Sequence, residues 1–188
     1  MIDAAVELFS IQPWELVTVS DIVDRAGMTP AAFYYHFTSR EQLLEEVVRF
    51  FAEDWVATVE SLLGAAQRPD DLRLIPEKLL DKVDIAPQVA RIFFLSTATA
   101  PLLVDTMHRE ARARLVRSAT KAIRRLSPER EVAVAKVNGV SMIVLYEMAA
   151  RSHLMLDEPY RILGPRRFRE ELTRLSGVTS GYPDPSRS

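Results

Sequence analysis

The chain contains no cysteine, so neither a disulfide framework nor a thiolate metal site is available to it. Histidine is nearly as scarce. His36, His108 and His153 are the three, and none stands at a metal-ligand spacing from another. No metal and no cofactor is expected. A nucleophile elbow, a phosphate loop and a dinucleotide fingerprint are all missing. His108 and Glu110 are close in sequence, but i, i+2 neighbours on a helix point apart, so they form no catalytic pair. Glu147 stands among apolar residues and is read as a carboxylate paired with Lys, Arg or Tyr146 rather than as an acid catalyst. With no constellation for chemistry, an enzyme is not expected. The opening residues carry Asp3 and Glu7 and no basic stretch, which argues against a signal peptide. The most apolar run, 140–150, is interrupted by Glu147 and is too short to cross a bilayer. A cytoplasmic protein with no membrane partner is the expectation. No strand alternation stands out, so the fold class is all-α.

What is present is an ordinary globular composition, 48% hydrophobic and 27% charged over 188 residues, enough for one or two domains with a proper core. Residues 17–44 carry the strongest local signals. Thr18 is a candidate N-cap whose hydroxyl accepts from the backbone N–H of Asp21 while Asp21 reaches back, a capping box. Val17 and Ile22 stand where a hydrophobic staple closes around that cap. Val19, Ile22, Val23 and Ala26 recur at i, i+3, i+4 and i+7, one apolar stripe of about two turns. Gly27 follows, where a left-handed backbone is needed that only glycine adopts at no steric cost. Thr29 caps the next helix, Pro30 takes its first position, and Met28 and Phe33 can staple the start. The pattern is a helix-turn-helix followed by a third helix start.

Several further motifs point the same way: Ala5-x-x-Leu8-Phe9, Thr18-Val19-x-Asp21-Ile22, Ala26-Gly27, Phe33-Tyr34-Tyr35-His36-Phe37 and Ser39-Arg40-Glu41-x-Leu43-Leu44. With them, residues 2–48 resemble the amino-terminal domain of TetR-type transcriptional regulators, without a gap. The rest of the chain fits that family only in being helical. The sequence departs from the family pattern in places. Pro13-Trp14 stands where a glycine commonly precedes an aromatic, Ala31 replaces a frequent glycine, Ala32 removes a frequent hydroxyl, and Arg40 replaces a usual lysine.

Helices are expected at 2–9, 19–26, 29–36, 39–63, 70–83, 87–98, 101–126, 128–155 and 165–176, with a frayed tail at 177–188. Ser39 should open the long helix with a capping box to Gln42, and Ser127-Pro128-Glu129 reads as another helix start. The domain organisation expected is a DNA-binding head at 1–48, a helical effector-binding and dimerisation domain at 49–176, and the tail. Segment 128–155 is apolar on nearly every face after Val140, so it should be buried all round, against its own core and a second copy, or centrally within a monomer. The resemblance implies a four-helix homodimer interface built from this helix and the last one, with Val140, Val144, Met148, Phe168, Leu172 and Leu175 as the contacts.

For double-stranded DNA, the recognition helix would present Thr29, Pro30 and Ala31 to base edges or phosphates. Tyr34 or Tyr35 and His36 would donate to phosphates, one tyrosine packing instead. Arg40 and the Thr18 cap would hold further phosphates. Segment 29–35 has no charged side chain, leaving thymine methyl contacts and tyrosine hydroxyls for readout. For a small hydrophobic or amphipathic effector, Phe93, Phe94, Leu103, Met107, Met142 and Tyr146 offer walls, and Ser96, Thr97, Asn138 and Ser141 offer polar contacts. The resulting reading is a ligand-responsive repressor that binds a palindromic operator as a homodimer. A dimeric helical ligand-binding or adaptor protein with an impaired head is the alternative.

Residues 1–48 carry eight acids against Arg25 and Arg40, a net charge of −6, while the whole chain is at −2. Met1 also falls inside the first helix, with Ile2 already on its apolar stripe. The natural protein is therefore expected to start upstream, with several Lys or Arg before Met1. Intact mass of the protein from its native source checks this; a chain beginning at Met1 or Ile2 defeats it.

Overall fold

The structure, a computed structural model, describes residues 1–95 and 102–182. Its helices are α1 (Ile2–Ile11), α2 (Val19–Ala26), α3 (Pro30–His36), α4 (Arg40–Ala65), α5 (Pro69–Arg73), α6 (Ile75–Ile85), α7 (Pro87–Leu95), α8 (Leu102–Leu126), α9 (Val132–Met155) and α10 (Glu158–Ser180), with a 3-10 turn at Trp14–Leu16. No strand occurs among the described residues, and the fold is all-α. Contacts group the chain into two units, one of residues 1–54 and 86–109, the other of 55–85 and 110 onward. Helices α4 and α8 each run from one unit into the other.

In the first unit, α1 packs on α2 and α7. Phe9, Val17, Ile22, Val23, Phe33, Leu43, Leu44 and Val47 are buried there. Phe51 meets Phe93 and Phe94 at ring distances of 5.2 and 6.0 Å, and His108 stacks on Phe93 at 4.1 Å. These aromatic contacts make Phe93 and Phe94 core residues, each under 5% exposed, while Met107 is half-buried. Expected effector contacts Ser96 and Thr97 lie outside the described residues.

In the second unit, α10 packs on α9, α5 and α6. Here the chain differs from the helices expected of its sequence, and each difference has a local cause. The segment 70–83 is two helices because Pro76 has no N–H to donate to the carbonyl four residues back. That carbonyl, of Leu72, accepts from the Ser176 hydroxyl at 2.9 Å instead. The expected helix start at Ser127-Pro128 is a turn, closed by the Arg130 N–H on the Ser127 carbonyl at 3.1 Å, and α9 begins only at Val132. The expected start at Pro165 is a kink within α10, where Gly164 leaves helical geometry at φ 73°. The tail expected from residue 177 is helical to Ser180. Gly177 is there for close packing: a Cβ on it would meet the Tyr182 carbonyl oxygen at 2.8 Å.

Helix α9 is long and apolar enough, by length and composition, to cross a membrane, although the run 140–150 alone was too short. It is not buried all round. Ala135, Met142, Ile143, Tyr146 and Ala149 are buried, whereas Val140, Val144 and Met148 are 43, 50 and 40% exposed. The α10 residues expected to face a second copy correct that expectation. Phe168 and Leu172 are buried in this chain's own core, because the stripe of α10 is used against α9 and α6, and Leu175 is half-buried. Glu147 is paired with Arg112, whose Nε donates to it at 2.9 Å.

Asn138, expected at an effector site, is a structural clamp. Its side-chain amide donates to the Thr179 carbonyl at 2.9 Å and its oxygen accepts from Arg130 at 3.2 Å. Arg130 also donates to the carbonyls of Ser180 (2.9 Å) and Gly181 (3.0 Å) and lies over the Tyr182 ring at 4.4 Å. These bonds satisfy carbonyls left open where α10 ends. Arg130→Ala should lower unfolding stability by about 2 kcal/mol, the range for hydrogen bonds to a charged group. Urea denaturation measures it, and an unchanged midpoint removes the clamp.

Candidate nucleic-acid interface

The turn between α2 and α3 is built by backbone chemistry that its residues dictate. The Thr18 hydroxyl accepts from the Asp21 N–H at 3.1 Å, and the Thr18 N–H donates to the Asp21 carboxylate at 2.8 Å, completing the capping box. These bonds favour the ionised form and hold the Asp21 carboxyl below the usual carboxylate range, the Thr18 hydroxyl contributing most. That hydroxyl also donates to Asp21 at 2.7 Å, so both its roles are occupied inside the box. Gly27 takes φ 62°, ψ 35°, the left-handed conformation the turn requires. The Thr29 hydroxyl then accepts from the Ala32 N–H at 3.2 Å, and Pro30 opens α3.

This start fixes which side of α3 faces out. Phe33 is fully buried, while Thr29, Pro30, Ala31, Tyr34, Tyr35 and His36 are exposed. One of the two tyrosines was expected to pack; instead Tyr34 is 60% and Tyr35 85% exposed. Tyr34 only leans its edge on Phe33, with centroids 5.3 Å apart, and Tyr35 meets His36 edge-on at 4.9 Å. Met28 is exposed beside Thr29, so it extends the apolar part of this face. The exposed face therefore combines hydroxyls, an imidazole and small apolar groups, as the uncharged segment 29–35 predicts.

Arg40 is the main correction. Expected to hold a phosphate, it is only 27% exposed and is turned inward. Its Nη1 donates to the carbonyls of Glu15 at 2.6 Å and Val17 at 2.7 Å, with a longer contact to Trp14 at 3.4 Å. Its Nε reaches Glu41 at 3.1 Å, and the guanidinium lies 5.1 Å over the Trp14 ring. The carbonyls it binds belong to the 3-10 turn and its exit, where the Trp14 carbonyl also accepts from the Val17 N–H at 3.1 Å. Arg25, the other base of the head, is paired with Glu7, its Nε donating at 2.7 Å. The signal for Arg40 lay in Pro13-Trp14, which supplies the ring beneath the guanidinium, yet nothing in the local pattern joins residues 25 positions apart. At the start of α4, the Gln42 N–H donates to the Ser39 hydroxyl at 3.2 Å, but the Gln42 side chain accepts from Thr38 at 2.6 Å rather than from Ser39.

A capped helix-turn-helix head joined through a long helix to a larger helical unit is the architecture of a class of transcription regulators. Residues 1–47 match the model of the family described as bacterial regulatory proteins, tetR family, so the head is similar to that of TetR-type regulators. It is 33% identical over 69 residues to the transcriptional repressor KstR2 of Mycolicibacterium smegmatis, covering 37% of this chain and 34% of that one. Over 64 residues it is 38% identical to the transcriptional regulator BetI of Rhizobium meliloti, covering 34% of this chain and 26% of that one. The match thus spans about a third or less of the length of these curated relatives. The fatty acid degradation regulator FadR of Bacillus halodurans has the same fold, with a TM-score of 0.69 at 14% identity over 96% of both chains. So does FadR of Bacillus subtilis in complex with stearoyl-CoA, with a TM-score of 0.65 at 18% identity over 96% of this chain and 94% of that one.

The inward position of Arg40 sets its expected phenotype. Arg40→Ala should cost about 2 kcal/mol of stability through lost charged hydrogen bonds, and Arg40→Lys should recover little, since an ammonium lacks the planar fork. Thermal and urea unfolding measure both. A fully stable Arg40→Ala protein with weakened DNA binding would return the residue to the interface.

Proposed function

We propose that the chain is a ligand-responsive transcriptional repressor that binds a palindromic DNA operator as a homodimer. The observation that carries this is the outward face of α3, with Phe33 anchoring the helix and Thr29, Pro30, Ala31, Tyr34, Tyr35 and His36 free to enter a major groove. Backbone N–H groups in the first turns of α2 and α3 that the caps leave open would donate to phosphates. The head is residues 1–48, and residues 49–176 carry effector binding and dimerisation. The exposed Val140, Val144 and Met148 of α9 support pairing with a second copy, since monomers seldom leave such a stripe to water. Leu175 of α10, half-buried in this chain, would be a further contact in that pairing.

The effector is a hydrophobic or amphipathic small molecule, and Ser141, Met142 and Tyr146 of the second unit are its proposed contacts. Burial pushes the Tyr146 phenol up. Its hydroxyl lies near Ser176, but the Ser176 proton goes to the Leu72 carbonyl, which leaves the phenol without a well-formed partner. A bound polar group would satisfy it. That a fold neighbour is described in complex with stearoyl-CoA supports an amphipathic effector. A complete switch between bound and free operator needs a preference on the order of 5 kcal/mol for one state.

The second reading, an adaptor with an impaired head, is favoured by one observation: both arginines of an acidic head are engaged within it. Selection from a random duplex pool, followed by salt titration of the enriched site, decides between the two. The expected result is an inverted repeat with half-site centres about 34 Å apart. Its binding should have a shallow salt slope, below about 4, because few charged side chains neutralise phosphates. Enrichment of nothing palindromic leaves the adaptor.

A further inference from the structure

A cleft of about 300 Å³ lies in the first unit, lined by Phe9, Gln12, Trp14, Glu15, Arg91 and Leu95 among its residues. It is built from the last turn of α1, the 3-10 turn and α7. None of these residues belongs to the exposed face of α3 or to the proposed effector contacts. The volume is at the lower end of small-ligand sites.

The cleft holds one carboxylate that no hydrogen bond reaches. Helix α1 ends here with no basic residue in its last turn, and its open carbonyls carry partial negative charge. Arg91 answers part of this, its Nε donating to the Ser10 carbonyl at 3.4 Å. Glu15 is different. Both its carboxylate oxygens are shielded from water and neither accepts a hydrogen bond. The residue is not free to swing away with its backbone, because Arg40 holds its carbonyl at 2.6 Å. A shielded carboxylate without a donor is costly unless a cation meets it. Beside it, Phe9, Trp14 and Leu95 offer aromatic and branched walls.

We propose that this cleft binds a small primary amine with an aromatic or branched apolar body. A turn of the Glu15 side chain opens its carboxylate to the cleft, where the ammonium donates to it in a charge-assisted contact, and the body lies against Phe9 and Leu95. The amine therefore bridges the loop that Arg40 braces and α7, which packs on α1.

The test is calorimetric titration of the full chain at neutral pH with 2-phenylethylamine, which is protonated there, and with 2-phenylethanol, which has the same body and no charge. The amine should bind saturably, one per chain, and the alcohol on the order of tenfold or more weaker, the loss expected for one hydrogen bond to a charged group. Glu15→Gln, which keeps the shape and removes the charge, should weaken the amine by a similar factor. Should that variant fail to fold, the amine–alcohol comparison on the unaltered chain still decides. Equal affinity for amine and alcohol, or an amine that binds Glu15→Gln unchanged, overturns the proposal. So does binding seen only in Arg91→Gln, because Arg91 would then itself be the cation that meets Glu15.

Discussion

The geometry of the head depends on one guanidinium. A 3-10 turn of three residues satisfies the Trp14 carbonyl, through the Val17 N–H, but not all of its carbonyls, and the chain leaves it in an extended conformation at Val17, φ −83°, ψ 124°. Without a donor, those carbonyls would turn to water and the loop would have many conformations of similar energy. Arg40 supplies donors from the first turn of α4, on a planar fork that Trp14 holds from beneath. Val17 is fixed by this and is fully buried. The next residue, Thr18, is the cap of α2, so the direction in which the helix-turn-helix sets out follows from a bond made by a residue after it.

This use of Arg40 removes a charge from the surface, and Arg25 is likewise engaged with Glu7. The head is left with hydroxyls, an imidazole, backbone N–H groups and eight carboxylates. Such a surface has little long-range attraction for a polyanion, so encounter with DNA gains little from steering. If this face enters a groove as proposed, discrimination between sequences would rest on close fit there.

The sequence was legible wherever cause and effect lie within a few residues. The Thr18–Asp21 box, the left-handed Gly27, the Thr29 cap with Pro30, and the burial of Phe33 all follow from neighbours three or four positions apart, and all are present. The errors share the opposite property. Pro76 splits a helix, but whether the orphaned Leu72 carbonyl can be buried depends on Ser176, on a helix far along the chain. The delayed start of α9 and the role of Asn138 depend on Arg130 meeting the end of α10. Apolar stripes on α9 and α10 were visible, yet periodicity gives the stripe and not its occupant. Phe168 and Leu172 turned to their own core, and only the α9 stripe was left open.

The exposed side of α9 is made largely of valine, at positions 134, 137, 140 and 144. A β-branched side chain in a helix holds essentially one χ1 rotamer even in water. Covering such a surface therefore forfeits little side-chain entropy, unlike a face of methionine or lysine. It is already shaped before anything meets it, with Met148 at one end as the single adaptable group. A rigid apolar ridge of this kind favours one register over many, so its occupant would dock in a defined position rather than slide along the helix.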